Sequence, residues 1–306
     1  MHPKNNRSGA AAALLAAALV SSAFAQEPSP THPATPSDAN RPVRSPGNAD
    51  WARDAEDAQA KAAAQGKLVY YEFDSPNCSA CQRMQSLLYP AFDFEALLIG
   101  MVPVKLALTS NAAKPLADRY KITEVPAVLI TNADGRLVFL MQGFKTAPEF
   151  YRHARGDLDR YRQFVKKIDA QRIATLSAEE AYATGRELYA RSDPAAALPR
   201  LQRASVAPNP KPGVRENALE GLAEVQLEVG QIGPSRQTID KLIATTKNAD
   251  QRERAELFRA QIPLAEKKPA EALALYRKFV KDHPSSPHRA RVDEFIARLE
   301  GAAPAP

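Results

Sequence analysis

Both cysteines of the 306-residue chain, Cys78 and Cys81, lie three positions apart where one hydrophobic period gives way to another. Ahead of them, 67–73 is a nearly unbroken apolar run with aromatic and β-branched residues, the pattern of a strand buried on both faces. Behind them, Cys81, Met84, Leu87 and Leu88 recur at helical spacing until Pro90 stops the pattern. The junction therefore predicts Cys78 at a strand-to-helix turn, exposed, with Cys81 facing inward. Unpaired N–H groups and the positive end of a helix dipole favour an anion at such a place, so a thiolate forms more easily.

Three other uses of a closely spaced pair compete with a redox dithiol. A structural disulfide closing so short a loop restrains the unfolded chain by only ~2 kcal/mol, against nearly ~5 for a long loop. A zinc half-site needs a second ligand pair, and His2, His32, His153, His283 and His288 supply no Cys-x-x-Cys or His-x-x-x-His partner. Inert thiols are more often scattered through apolar positions than paired at a helix start. Spacing and context favour the redox use, with no metal and no organic cofactor, the reactive group being the Cys78–Cys81 pair itself.

The N-terminus reads as an export leader over 1–25. Lys4 and Arg7 supply the charged region, 10–20 the apolar region, and Ala23-Phe24-Ala25 the small-x-small site before Gln26. The apolar stretch is short for a bilayer, and no later one reaches that length. Residues 26–48 are Pro-rich and polar, expected to be an extended tether. The destination implied is the periplasm or the medium, where an accessible dithiol stays reduced only if something delivers electrons to it. The formal charge of +6 falls to +4 once Lys4 and Arg7 are removed, too mild over this length to indicate nucleic acid or an anionic membrane.

The pattern predicts a helix over 49–65 with Trp51, Ala55, Ala58 and Ala62 on one face, ending at Gly66, then the strand leading to the cysteines. Glu72 interrupts that strand, and a carboxylate there is costly without a partner or a task. Further on come a helical patch at 92–99, a strand at 101–108 carrying Lys105, and a helix through Ala113, Leu116, Ala117 and Tyr120. An apolar run at 127–130, an Asn132-Ala133-Asp134-Gly135 turn and a return strand at 136–142 then make a hairpin. Parallel pairing comes first in this order and an antiparallel pair last, with helices for both faces.

These residues resemble the thioredoxin family over 51 to about 158, roughly a third of the chain. The branch most similar is the periplasmic C-terminal domain of the transmembrane disulfide reductases. The resemblance rests on Gly66-Lys67 before a strand, Cys78-x-x-Cys81 followed by Met84, Val125-Pro126 ahead of a hairpin, and Gly143-Phe144 after it. It implies an α/β thioredoxin-like fold, a central mixed sheet flanked by helices, over 49–172. It also implies roles. Cys78 is the attacking thiolate and Cys81 the resolving thiol. Glu72 is the buried acid that takes the Cys81 proton, and Lys105 is its partner. Pro126 is a cis-proline facing the dithiol, with the Val125 backbone pairing to a bound substrate strand. Asn77 and Gly143 border the same site. Each has an ordinary alternative: Glu72 at an exposed edge, Lys105 reaching to solvent, Pro126 trans at a strand start. Two features depart from the family pattern. Asn77 stands where an aromatic residue is usual. The Ser79-Ala80 pair is neither Gly-Pro nor histidine-containing, and the missing histidine argues against a strong oxidant.

Pro148 opens an amphipathic helix with Phe150, Ala154, Leu158, Tyr161, Val165 and Ile168 on one stripe, a connector to about Arg172 unless Gly156 breaks it. From Ser177 the strand pattern disappears. Helical segments pair as 178–191 with 194–205, 214–229 with 234–246, and 250–266 with 269–281, and 288–299 closes the series before a tail at 301–306. Their period is roughly 34 to 41 residues, that of helical-hairpin repeats. The stretches 193–198 and 268–276 and the closing His283-Pro284 resemble tetratricopeptide repeats, which implies an all-α repeat domain over 177–300 whose concave face holds a protein partner. An irregular bundle that only braces the first domain is the plainer alternative.

The resulting expectation is an exported thiol–disulfide oxidoreductase acting on protein disulfides and recharged by an upstream membrane reductase. The competing reading is a non-catalytic assembly protein whose repeats grip a partner while the thioredoxin-like part serves as a docking platform.

Overall fold

The computed structural model describes residues 50–90 and 92–301. The leader over 1–25, the tether over 26–48 and positions 302–306 of the tail lie outside the described residues. Helix α1 (Ala55–Gln65) starts where the Asp54 side chain accepts from the Asp57 N–H, and ends at Gly66 in the left-handed conformation. It begins later than the sequence pattern suggests. Ala52 is instead extended, donating its N–H to the Pro103 carbonyl at 2.8 Å and bridging to Val104. Trp51 is therefore not on the α1 face, and packs against Tyr70 and Tyr89 on the other side of the sheet.

Strand β1 (Leu68–Asp74) runs parallel to β2 (Met101–Ala107) and antiparallel to β3 (Ala127–Thr131), which pairs antiparallel with β4 (Leu137–Gln142). The order across the sheet is β2-β1-β3-β4, one parallel pair and two antiparallel ones. Side chains alternate across a strand. Tyr70 thus joins the layer of α2 (Ser79–Leu88), α3 (Phe92–Leu98) and α5 (Ala147–Asp169), while Val69, Tyr71 and Phe73 face α1 and α4 (Lys114–Tyr120). Both faces of β1 are covered, which is why its sequence reads as continuous rather than alternating apolar. This is a thioredoxin-like α/β domain with a mixed four-stranded sheet, followed by a series of packed helices.

Helix α5 joins the two parts. It opens on a reciprocal cap between Thr146 and Glu149 and runs unbroken through Gly156 for 23 residues. Its first half buries Phe150, Tyr151, Ala154 and Leu158 against the sheet, and its last turns bury Phe164 and Ile168 against Leu188, Leu201 and Leu222. Those last three belong to α6 (Ala178–Ala190), α7 (Pro194–Val206) and α8 (Val214–Glu228). The series continues as α9 (Ile232–Thr245), α10 (Ala249–Ala265), α11 (Pro269–Asp282) and α12 (Arg289–Gly301), each packed on the next.

A second joint is polar. The Leu137 N–H donates to the Arg191 carbonyl at 2.7 Å, and Arg191 Nη1 donates back to the Leu137 carbonyl at 3.1 Å. Arg136 pairs with Asp193 at 2.6 Å, and Arg119 donates to the Ser192 carbonyl at 2.6 Å. The α6–α7 turn thus satisfies backbone groups on the edge strand β4 that would otherwise invite another strand.

Close packing within the arm is tightest at Gly185 in α6, where an added Cβ would stand 2.8 Å from Leu201 Cγ and 3.3 Å from its backbone nitrogen. Alanine normally favours a helix over glycine by ~1 kcal/mol, yet Gly185→Ala is expected to destabilise by ~1–3 kcal/mol through overpacking. Gly156→Ala in α5 meets only the far end of Arg160 at 3.4 Å and is expected to stabilise. Opposite shifts of the thermal midpoint for the two variants check this.

Candidate redox site

Beyond Asp74 the chain leaves the sheet in a turn whose Asn77 adopts φ 62, a left-handed conformation that asparagine tolerates better than most residues. The turn closes with the Cys78 N–H on the Ser75 carbonyl at 3.3 Å. Cys78 is the N-cap of α2, its Sγ accepting from the Cys81 N–H at 3.0 Å. The two cysteines form a disulfide with Cα atoms 5.2 Å apart. Cys78 is half-buried, whereas Cys81 is 3 % exposed and turned toward the core. Of the two cysteines, Cys78 is the more accessible. On reduction, charge left there faces the open N–H groups of α2.

Glu72 lies on the β1 face that α2 covers and is 2 % exposed. Both carboxylate oxygens are occupied: Gln85 Nε2 donates to Oε1 at 2.6 Å and the Tyr89 hydroxyl to Oε2 at 2.6 Å. Gln85 and Tyr89 follow Cys81 at four and eight positions along α2, so all three share one stripe and Glu72 sits beneath it. Lys105 is the β2 neighbour of Glu72 in the parallel register. Its Nζ stands 3.7 Å from Glu72 Oε1 and closer, 3.0 Å, to Asp74 Oδ2. Lys105 thus serves two carboxylates, with Asp74 the nearer. Burial pushes the Glu72 carboxyl above the usual glutamate range, while Tyr89, Lys105 and Gln85 pull it back down.

The sheet register brings the remaining site residues to the same end. Phe73 pairs with Ala127 and Ala127 with Gln142, so Val125-Pro126 and Gly143 emerge beside the turn that carries the cysteines. The Val125–Pro126 bond is cis and Pro126 is buried. Gly143 has φ 74, and a side chain there would approach the Glu124 carboxylate at 3.4 Å. Arg83 of α2 lies over the Phe144 ring at 5.2 Å, tying the dithiol helix to the segment after β4. Asn77 is exposed at the rim.

Four participants were not singled out from sequence: Asp74, Gln85, Tyr89 and Gln142. Gln142 clamps the loop before Pro126, accepting from the Thr123 and Glu124 N–H groups at 2.8 and 3.4 Å and donating to the Lys121 carbonyl at 3.0 Å. The i+4 and i+8 positions of Gln85 and Tyr89 relative to Cys81 were a usable signal. Nothing local marks Gln142, because its partners are some twenty residues away.

The fold and the site define a thioredoxin-like domain carrying a Cys-x-x-Cys pair. Residues 55–155 match the family model of the thioredoxin-like domain. Among solved structures, the chain is similar to a thioredoxin from Thermus thermophilus, with 23% identity, 35% of this chain and 85% of that one covered, and a TM-score of 0.32. It is also similar to the DsbH oxidoreductase, with 16% identity, 42% and 95% covered, and a TM-score of 0.33. No curated protein matches the chain.

A carboxyl whose affinity for protons is higher folded than unfolded contributes most below its unfolded value and loses that contribution as pH rises through the folded value. Glu72→Gln removes the cost of burying the charge. The variant is expected to gain stability relative to the wild type as pH climbs above about 4.5, the ordinary glutamate value, with the gap closing below it. Denaturant midpoints at a series of pH values, with the Cys78–Cys81 disulfide intact, measure it.

Proposed function

We propose that this is an exported thiol–disulfide oxidoreductase that reduces protein disulfides. The observation that carries the reading is the asymmetry of the pair, with Cys78 half-buried at a helix start and Cys81 buried on the helix stripe whose Gln85 and Tyr89 hold Glu72. In the reduced enzyme the Cys78 thiolate attacks one sulfur of a substrate disulfide. A Cys78–substrate disulfide forms and the first substrate sulfur leaves as a thiolate, which water protonates. Cys81 then passes its proton to Glu72 and attacks Cys78 Sγ. The second substrate sulfur departs as a thiolate and takes the proton held by Glu72 as the internal disulfide closes. Two electrons and two protons reach the substrate, and a membrane reductase upstream returns two electrons to the pair.

The Val125 backbone is the natural place for a substrate strand, because cis-Pro126 has no N–H to offer and Gln142 holds the preceding loop. Lys105 keeps negative charge near the dithiol in check. Asn77 gives the rim a polar character. The absence of histidine between the cysteines favours reduction over oxidation. Helices α6–α12, packed each on the next, are read as tetratricopeptide-like repeats that hold a protein partner. The leader sequence supports export to the periplasm or beyond.

Cys78→Ser is expected to abolish reduction of a model protein disulfide, a loss of at least ~10³-fold in rate. Cys81→Ser is expected to attack once and stall, accumulating mixed disulfides identifiable by mass spectrometry in the native compartment. If the wild type reduces nothing and Cys78→Ser still complements a deletion strain, the chain is an assembly protein instead.

A further inference from the structure

Tyr89 has no part in the reaction as written, yet its hydroxyl makes one of the two shortest contacts to the buried carboxylate, 2.6 Å from Oε2. We propose that Tyr89 is a positioning residue whose hydroxyl orients the Glu72 carboxylate and favours its charged form, and so sets the pH range in which Cys81 can hand over its proton. The proposal rests on the reading of Glu72 as the proton acceptor.

Tyr89 sits at the C-terminal cap of α2, eight residues after Cys81 on the same stripe. Its ring is fixed edge-on to Trp51 at 6.3 Å and tilted against Phe94 at 5.1 Å. That aromatic clamp leaves the hydroxyl little choice of direction. Burial and the neighbouring Glu72 charge push the Tyr89 hydroxyl far above the usual tyrosine range, so it keeps its proton and acts purely as a donor. A donor aimed at a carboxylate stabilises the charged form and opposes the effect of burial.

The other groups around Glu72 do not duplicate this. Gln85 from α2 binds the opposite oxygen at 2.6 Å. Lys105 from β2 is 3.7 Å away and shared with Asp74. Asp74 of β1 works in the other direction, raising the carboxyl. Tyr70, also on β1, is fully buried, and its hydroxyl finds no hydrogen-bond partner among the described residues. On the β3 side the register places the apolar Val128 beside Glu72. Oε2 therefore has the Tyr89 hydroxyl as its donor within the described structure.

Tyr89→Phe keeps the ring packing and deletes only the donor. The test uses the full chain in two states. In the oxidised protein neither sulfur titrates, and the Glu72 carboxyl carbon is followed by NMR against pH, its signal assigned by its loss in Glu72→Gln. In the reduced protein, a thionitrobenzoate disulfide is formed on Cys78 and its displacement by Cys81 is timed by absorbance across the same pH range. Tyr89→Phe is expected to move the Glu72 midpoint up by about one pH unit, and to move the rising limb of the displacement rate with it. Tyr151→Phe is the control: its hydroxyl donates to the Leu88 carbonyl at 3.1 Å in the same core and does not touch Glu72, so neither readout should move. An unmoved Glu72 midpoint in Tyr89→Phe, or an equal shift in Tyr151→Phe, overturns the proposal. A displacement profile indifferent to Glu72→Gln overturns the proton-acceptor reading instead, and the carboxyl titration still decides the tyrosine.

Discussion

A carboxylate buried between a strand and a helix is the constraint around which the redox half of the molecule is arranged. Glu72 stands in the centre of β1, the strand paired on both sides and covered on both faces, at 2 % exposure. An isolated charge there would be costly. Three neighbours offset the cost, each from a different relation to the carboxylate: Lys105 through the parallel register, Gln85 at mid-helix, and Tyr89 at the helix end. The donors on α2 tie that helix to β1. The position of Cys81 over the sheet and of Cys78 at its rim follows from the same tie.

The rest of the sheet serves the same end of the molecule. Because β3 runs antiparallel to β1 and begins opposite Phe73, the loop before it opens beside the cysteine turn rather than at the far side. The register of β4 then delivers Gln142 and Gly143 there. Arg83 closes the arrangement by stacking on Phe144. The Val125–Pro126 segment, the Cys78 sulfur and the buried Glu72 are thus placed by strand register and one helix. The arm is placed by a different device. Helix α5 contributes to both hydrophobic cores, and the α6–α7 turn bonds to the outer edge of β4, away from the end that carries the dithiol loop. Residues at that joint hold the arm to the domain without entering the redox site.

Much of this was legible along the chain. The continuous apolar run of β1, the helical spacing after Cys81 and the Asn132–Gly135 turn each rest on contacts between near neighbours, and each element appears where those patterns put it. Glu72 stood out because a charge breaks an otherwise apolar strand. The start of α1 was less legible. Its alanine-rich pattern extends back to 49, but Ala52 is drawn into a bridge with β2, a long-range contact that helical propensity does not register. The pairing of Lys105 was half legible: its apolar surroundings marked it, while the closer approach to Asp74 depends on two strands lying side by side. Gln142 carried no mark at all, being one polar residue at a strand end until the loop it binds is brought to it.

By itself, the order of residues determined which segments are strands and helices, where the dithiol falls between them, and that a second, wholly helical part follows. Those properties depend on period and capping, which act over a few residues. Only the tertiary structure decided which oxygen of Glu72 meets which donor, that one lysine is shared by two carboxylates, and that an arginine and an aspartate fifty-seven positions apart lock the arm to the sheet. Those depend on register and packing, which couple residues that the linear sequence keeps far apart.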